Sequence, residues 1–75
     1  MSMTPENEHD YYMLLHSGMV DIVICLNGWT KITYLPEYPK HVRRTLTVPE
    51  VEEQLVQFNE FGEIAREGSY NEASD

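Results

Sequence analysis

Asn27-Gly28 sits between two β-branched runs, and this limits the fold of the chain more than any other feature. Val20-Asp21-Ile22-Val23-Ile24-Cys25-Leu26 precedes the dipeptide and Trp29-Thr30-Lys31-Ile32-Thr33-Tyr34-Leu35 follows it. Runs of this kind separated by Asn-Gly predict a β-hairpin closed by a type I′ turn. Both turn residues there need positive φ, which Asn and Gly tolerate best. A two-residue loop pairs Leu26 with Trp29, Ile24 with Lys31, Ile22 with Thr33 and Val20 with Leu35. Side chains alternate across a strand, so this register places Val20, Ile22, Ile24, Leu26, Trp29 and Leu35 on the core face. The other face then carries Asp21, Val23, Cys25, Thr30, Ile32 and Tyr34 and is only half polar.

Around the hairpin the signals are shorter. Tyr11-Tyr12-Met13-Leu14-Leu15-His16 ends at the turn signal Ser17-Gly18 and reads as a strand, with a single helical turn as the alternative. Pro36-Glu37-Tyr38-Pro39 is a loop, because two closely spaced prolines prevent regular pairing. His41-Val42-Arg43-Arg44-Thr45-Leu46-Thr47 alternates as a short edge strand, with Val42 and Leu46 inward and Arg43, Thr45 and Thr47 outward. Thr47 as N-cap, Pro49 in the first turn and Glu50 closing a capping box then mark a helix start. Val51, Leu55, Phe58, Gly62 and Ala65 recur at helical spacing, and Gly68-Ser69 ends the pattern. The expected architecture is α+β: a three- or four-stranded antiparallel meander containing the Asn-Gly hairpin, packed by one C-terminal amphipathic acidic helix. Residues 11–68 form that single domain, and residues 1–10 and 69–75 are expected to be disordered tails.

Composition narrows the function classes. Seventy-five residues make one domain at most, and a domain of that size buries only about 60% of its unfolded surface. Thirteen acidic residues against five basic ones give a formal net charge of −8, the opposite of the basic footprint of a nucleic-acid binder. The lone Cys25 excludes an internal disulfide and a multi-cysteine zinc site. His9, His16 and His41 are scattered, and no phosphate loop, metalloprotease pair or calcium loop is present. Neither enzymatic activity nor a metal or other cofactor is expected. No apolar run approaches the ~20 residues of a membrane-spanning helix, and the acidic N-terminus is unlike a signal peptide. A cytoplasmic protein is expected.

Two surface features point to a partner. On the expected helix, Glu52, Glu53, Glu60, Glu63 and Glu67 fall within one sector of about 100°, along ~22 Å of axis. That charge spacing approaches the phosphate spacing of a nucleic-acid strand. The same row also fits a plain solvated helix face, although no lysine interrupts it. Lys40-His41-Val42-Arg43-Arg44 is read as edge protection. The second feature is the sheet face opposite the helix, where Ile32 and Tyr34, with Trp29 and Tyr38, would form an exposed apolar contact.

Together these residues suggest a small non-enzymatic protein that binds another protein and blocks it sterically. The expected partner carries a basic nucleic-acid-binding surface, which the acidic helix would occupy in place of nucleic acid. Such proteins are typical of phages acting on host machinery, including anti-CRISPR proteins and polymerase inhibitors, and would work in the host cytoplasm. The alternative is a structural or adaptor subunit that buries the apolar sheet face in a larger assembly or in a homodimer.

Overall fold

The structure is a computed structural model that describes residues 4–44 and 52–73. Its elements are α1 (Glu8–Ser17), β1 (Val20–Ile24), β2 (Thr30–Tyr34), β3 (Glu53–Phe58), β4 (Ile64–Gly68) and a single helical turn, α2 (Tyr70–Ala73). The four strands form one antiparallel sheet in the order β1-β2-β3-β4, with α1 against one face. The α+β class and the four-stranded antiparallel sheet stand. The helix sits at the opposite end of the chain from the one expected.

α1 replaces the strand expected over residues 11–16, and its signals lie in the segment read as a tail. The Asn7 side chain accepts the Asp10 N–H at 2.9 Å, an N-cap interaction that contributes roughly 1 kcal/mol. Glu8 and Asp10 place negative charge in the first turn, where the helix dipole favours it. Gly18 ends the helix in the left-handed region (φ 81°), its N–H reaching the Leu14 and Leu15 carbonyls. Between these caps Tyr11 and Leu14 turn inward, one helical step apart. Residues 4–10 are therefore part of the domain: Pro5 is buried, and its carbonyl accepts from the Arg44 guanidinium at 3.3 Å.

Asn27 (φ 62°) and Gly28 (φ 78°) both take positive φ, and the Trp29 N–H closes the turn on the Leu26 carbonyl at 3.2 Å. The pairing beyond the turn differs from the expected register by one residue. Val20 faces Tyr34, Ile22 faces Ile32 and Ile24 faces Thr30. The Cys25 N–H bonds the Trp29 carbonyl at 2.6 Å, so Cys25 and Leu26 together oppose Trp29 as a bulge. Because strand periodicity is two, that one-residue slip exchanges the faces of β2. Thr30, Ile32 and Tyr34 are buried, while Ile24 and Leu26 are exposed.

The helix expected to run to residue 68 is a second hairpin. β3 and β4 pair antiparallel, with Leu55 opposite Gly68 and Gln57 opposite Arg66; the register then shifts, leaving Ala65 as the extra residue on β4. Two things decide against a helix. Asn59 to Gly62 forms a turn in which Gly62 adopts φ 78°, a conformation a helix interior cannot use. β3 is also covered on both faces, so apolar residues occur at both parities and imitate helical spacing. Residues 40–42 form a 3₁₀ turn instead of the expected edge strand, and Arg43, expected outside, is buried. The expected strand end Thr45–Thr47 and the capping residues Thr47, Pro49 and Glu50 lie outside the described residues.

The main core lies between α1 and the sheet. Tyr11 and Leu14 meet Val20, Ile32, Tyr34 and Val56, closed off by Tyr38 and Val42 from the β2–β3 connection. Gln54 sits at its centre. Its Oε1 accepts from the Tyr34 hydroxyl and, at 3.2 Å, from the Arg44 N–H, while its Nε2 donates to the Tyr11 hydroxyl at 3.0 Å. A buried amide satisfied from α1, β2 and the connecting loop ties three segments to β3. On the other face Trp29 and Leu55 pack with Ala73 of α2, partly covered by Cys25. The Arg66 guanidinium lies over the Trp29 ring and pairs with Glu72 at 3.1 Å. Part of the segment read as a C-terminal tail thus covers the second face.

Candidate interaction surface

The end of the domain where α1 begins is assembled from two distant stretches of chain. Asn7 forms an antiparallel bridge with Glu63, and the Glu8 N–H bonds the Gly62 carbonyl at 2.6 Å. The hairpin tip beside them is held by Asn59. Its Oδ1 accepts the N–H groups of Phe61 at 2.9 Å and Glu63 at 3.0 Å, and its Nδ2 donates to the Glu63 carboxylate at 3.1 Å. An Asn side chain bonding backbone two residues on is an Asx turn, which fixes the tip without burying it. Phe61 stands on that tip and is 78% exposed, the most exposed large apolar side chain among the described residues.

Acidic residues lie next to Phe61 in the chain and beside it in the fold. Glu60 and Glu63 flank it on the hairpin, and Glu8 arrives from the first turn of α1. A shallow hollow of about 490 Å³ between the tip and α1 is lined by Asn7, Glu8, His9, Tyr12, Phe61, Gly62 and Glu63. A second hollow, of about 470 Å³, shares Asn7 and Glu63 and continues along β4, adding Glu6, Glu67, Arg44 and Arg66. Both arginines there are engaged, Arg44 with Glu67 at 3.5 Å and Arg66 with Glu72. The result is an apolar protrusion on an acidic collar, made by joining the N-terminal carboxylates to those of the β3–β4 hairpin.

The residues expected to contact a partner are redistributed. Glu60, Glu63 and Glu67 share this end of the molecule. Glu52 precedes β3 and Glu53 begins it, so they sit a strand length from the tip, roughly 17–20 Å away. The five no longer form one row, because the helix that aligned them does not exist. The apolar set is overturned as an exposed contact: Trp29, Ile32, Tyr34 and Tyr38 are all buried. Burial, with Tyr11 next to it, pushes the Tyr34 hydroxyl well above its ordinary range, and burial raises Tyr38 as well. These groups belong to the interior.

Sequence reasoning missed Phe61, Tyr12, Glu6 and Glu8. Asn59-Glu60-Phe61-Gly62 is a turn sequence that could have exposed the first of them, but it was absorbed into the helical pattern.

Among the described residues no three His, Cys, Asp or Glu side chains are grouped to hold a metal ion. His9, His16 and His41 are exposed and apart; Cys25 is half-buried, its thiol directed to the Val23 carbonyl at 3.8 Å. No helix among them is long and apolar enough to cross a membrane. No family model matches the chain, and no similarity to a curated protein or to a solved structure was found.

Proposed function

We propose that this protein acts by binding another protein and blocking it sterically, with Phe61 as the apolar anchor and Glu8, Glu60 and Glu63 as the charged rim. The observation that carries the reading is the 78% exposure of Phe61 on a turn that Asn59 holds rigid. An exposed aromatic costs free energy in water, and an aromatic centre with a polar rim is the usual anatomy of a binding hot spot. The net charge of −8 and the carboxylates around the tip favour a partner whose contact surface is basic. Proteins that hold nucleic acid present such surfaces, commonly with aromatic or apolar platforms between the cations. The reading therefore narrows to an inhibitor that occupies a nucleic-acid site, of the kind a phage directs at host machinery, acting in the host cytoplasm as a non-enzymatic protein without a cofactor.

The acidic element in this reading is the collar at the hairpin tip and not a helical row. The test reverses Glu60 and Glu63 to lysine and measures what the tagged protein retains from a bacterial lysate at low and high salt. Loss of a retained protein on charge reversal, with the far-ultraviolet circular dichroism unchanged, supports the reading. Retention that ignores both the reversal and the salt removes the electrostatic part of it.

A second reading follows from the exposed apolar side chains of β1 and its turn. Val23, Ile24 and Leu26 are 48%, 72% and 62% exposed, which suits a subunit interface.

A further inference from the structure

The geometry points to the hollow lined by Tyr12 and Phe61 as the seat for one arginine side chain of the protein partner. This inference rests on the reading of the Phe61 end as the partner-binding surface, and it names the group which that surface takes. The two rings come from different elements. Tyr12 lines the hollow from α1 and is 37% exposed, and Phe61 lines it from the hairpin tip at 78%. The bond from the Glu8 N–H to the Gly62 carbonyl, at 2.6 Å, fastens those two elements to each other. An accessible aromatic ring presents a negative face that attracts a cation.

Charge decides the occupant. Glu8 and Glu63 line the same hollow, and no lysine or arginine does. His9 shares the wall and carries no formal charge at pH 7. Neither carboxylate has a cationic partner among the described residues, where Arg44 pairs with Glu67 and Arg66 with Glu72. Asn59 Nδ2 donates to one oxygen of Glu63 at 3.1 Å, which orients that carboxylate without neutralising it. Two carboxylates beside two aromatic rings select a group that is positive, flat and partly apolar. A metal ion is none of the last two, and among the described residues no three His, Cys, Asp or Glu side chains are grouped to hold one. A guanidinium has all three properties. Its plane stacks on an aromatic face, its forked N–H groups pair with carboxylates, and it gives up water more readily than an ammonium.

A second copy of this chain has no such group to offer among the described residues. Arg43 is buried over the Tyr34 ring, and Arg44 and Arg66 are held in their ion pairs. The arginine therefore belongs to a different protein, one with the basic contact surface that a net charge of −8 favours.

Tyr12 separates this inference from the reading it rests on, because that reading uses only Phe61 and the carboxylates. The experiment is a two-dimensional amide NMR titration of the full chain at constant ionic strength, in which the spectrum also shows that each variant is folded. The probes are N-acetylarginine amide, its lysine counterpart, and its citrulline counterpart, which keeps the shape without the charge. Saturable shifts are expected at Tyr12, Phe61, Gly62 and Glu63. Arginine should bind about two- to fivefold tighter than lysine, and citrulline should not saturate. Glu8→Gln should weaken arginine binding about two- to fivefold. Tyr12→Leu keeps an apolar wall without the ring and should bring arginine and lysine close together. No saturable arginine shift up to about 50 mM overturns the inference. So does citrulline or lysine binding the wild type as tightly as arginine, or a preference for arginine that Tyr12→Leu leaves unchanged. Each of those failures leaves a lysate partner lost on reversal of Glu60 and Glu63 standing. An arginine-selective hollow in a protein that retains nothing from lysate would instead support the arginine seat and count against the inhibitor.

Discussion

The Trp29 ring occupies the space in which residue 68 would carry a side chain. A Cβ built on Gly68 falls 2.7 Å from Cζ3 of Trp29 and nearer still to Cη2. The pair joins the end of the first hairpin turn to the last residue of β4, and glycine is required there for close approach. Gly68→Ala forces the indole out of the cluster it forms with Leu55 and Ala73. A destabilisation of about 1–3 kcal/mol is expected from overpacking, read as a lower urea midpoint with an unchanged slope.

Gln54 gives a second test of the architecture. Gln54→Leu keeps roughly the same volume but leaves the hydroxyls of Tyr11 and Tyr34 and the Arg44 N–H without their partner. Buried polar groups left unsatisfied cost more than the bond itself contributes, so a loss of about 2–4 kcal/mol is expected in chemical denaturation. Tyr34→Phe removes one donor only and should cost about 1 kcal/mol. The reverse order of these two effects would mean that Gln54 is not the hub.

Tyr34 also predicts how stability varies with pH. Burial raises its hydroxyl above the ordinary tyrosine value, so the folded state keeps the proton after the unfolded chain has lost it. Stability is then flat below about pH 10 and falls above it, by about 1.4 kcal/mol per pH unit for one such group. Tyr38 shifts in the same direction and adds to the slope. Denaturation midpoints between pH 8 and 11.5 should show this decline, and Tyr34→Phe should make it shallower.

Much of the sheet was legible in the residues, and the point where legibility fails is physical. Asn27 and Gly28 take positive φ between two strands of the sheet, but Leu26–Gly28 form a 3₁₀ turn and the expected two-residue loop is not what joins those strands. A bulge at Cys25-Leu26 moves the register by one, and nothing in hydrophobic alternation distinguishes the two registers when Ile22, Ile24, Ile32 and Tyr34 supply apolar groups to either. α1 was hidden because its caps, Asn7 and Gly18, bracket a helix that begins inside an acidic segment otherwise typical of a tail. The second hairpin was hidden for the opposite reason. Leu55 faces Trp29 while Val56 faces Thr30 and the α1 side, so β3 shows no alternation and its residues fall by chance on a helical stripe. The candidate site depends on both elements, because Glu8 and Glu63 become neighbours only once α1 and the Asn59 turn are in place.

The role of Phe61 is the central claim and can be tested with one side chain. Its ring is 78% exposed, so Phe61→Ala should leave stability within about 0.5 kcal/mol of the wild type. The measurement to make is quantitative mass spectrometry of proteins retained by tagged wild type and Phe61→Ala from a bacterial lysate at low salt, with and without added competing nucleic acid. A nucleic-acid-binding protein held by the wild type, displaced by the competitor and lost with Phe61→Ala is the predicted result. The same proteins retained equally by both forms, unaffected by nucleic acid, would contradict it.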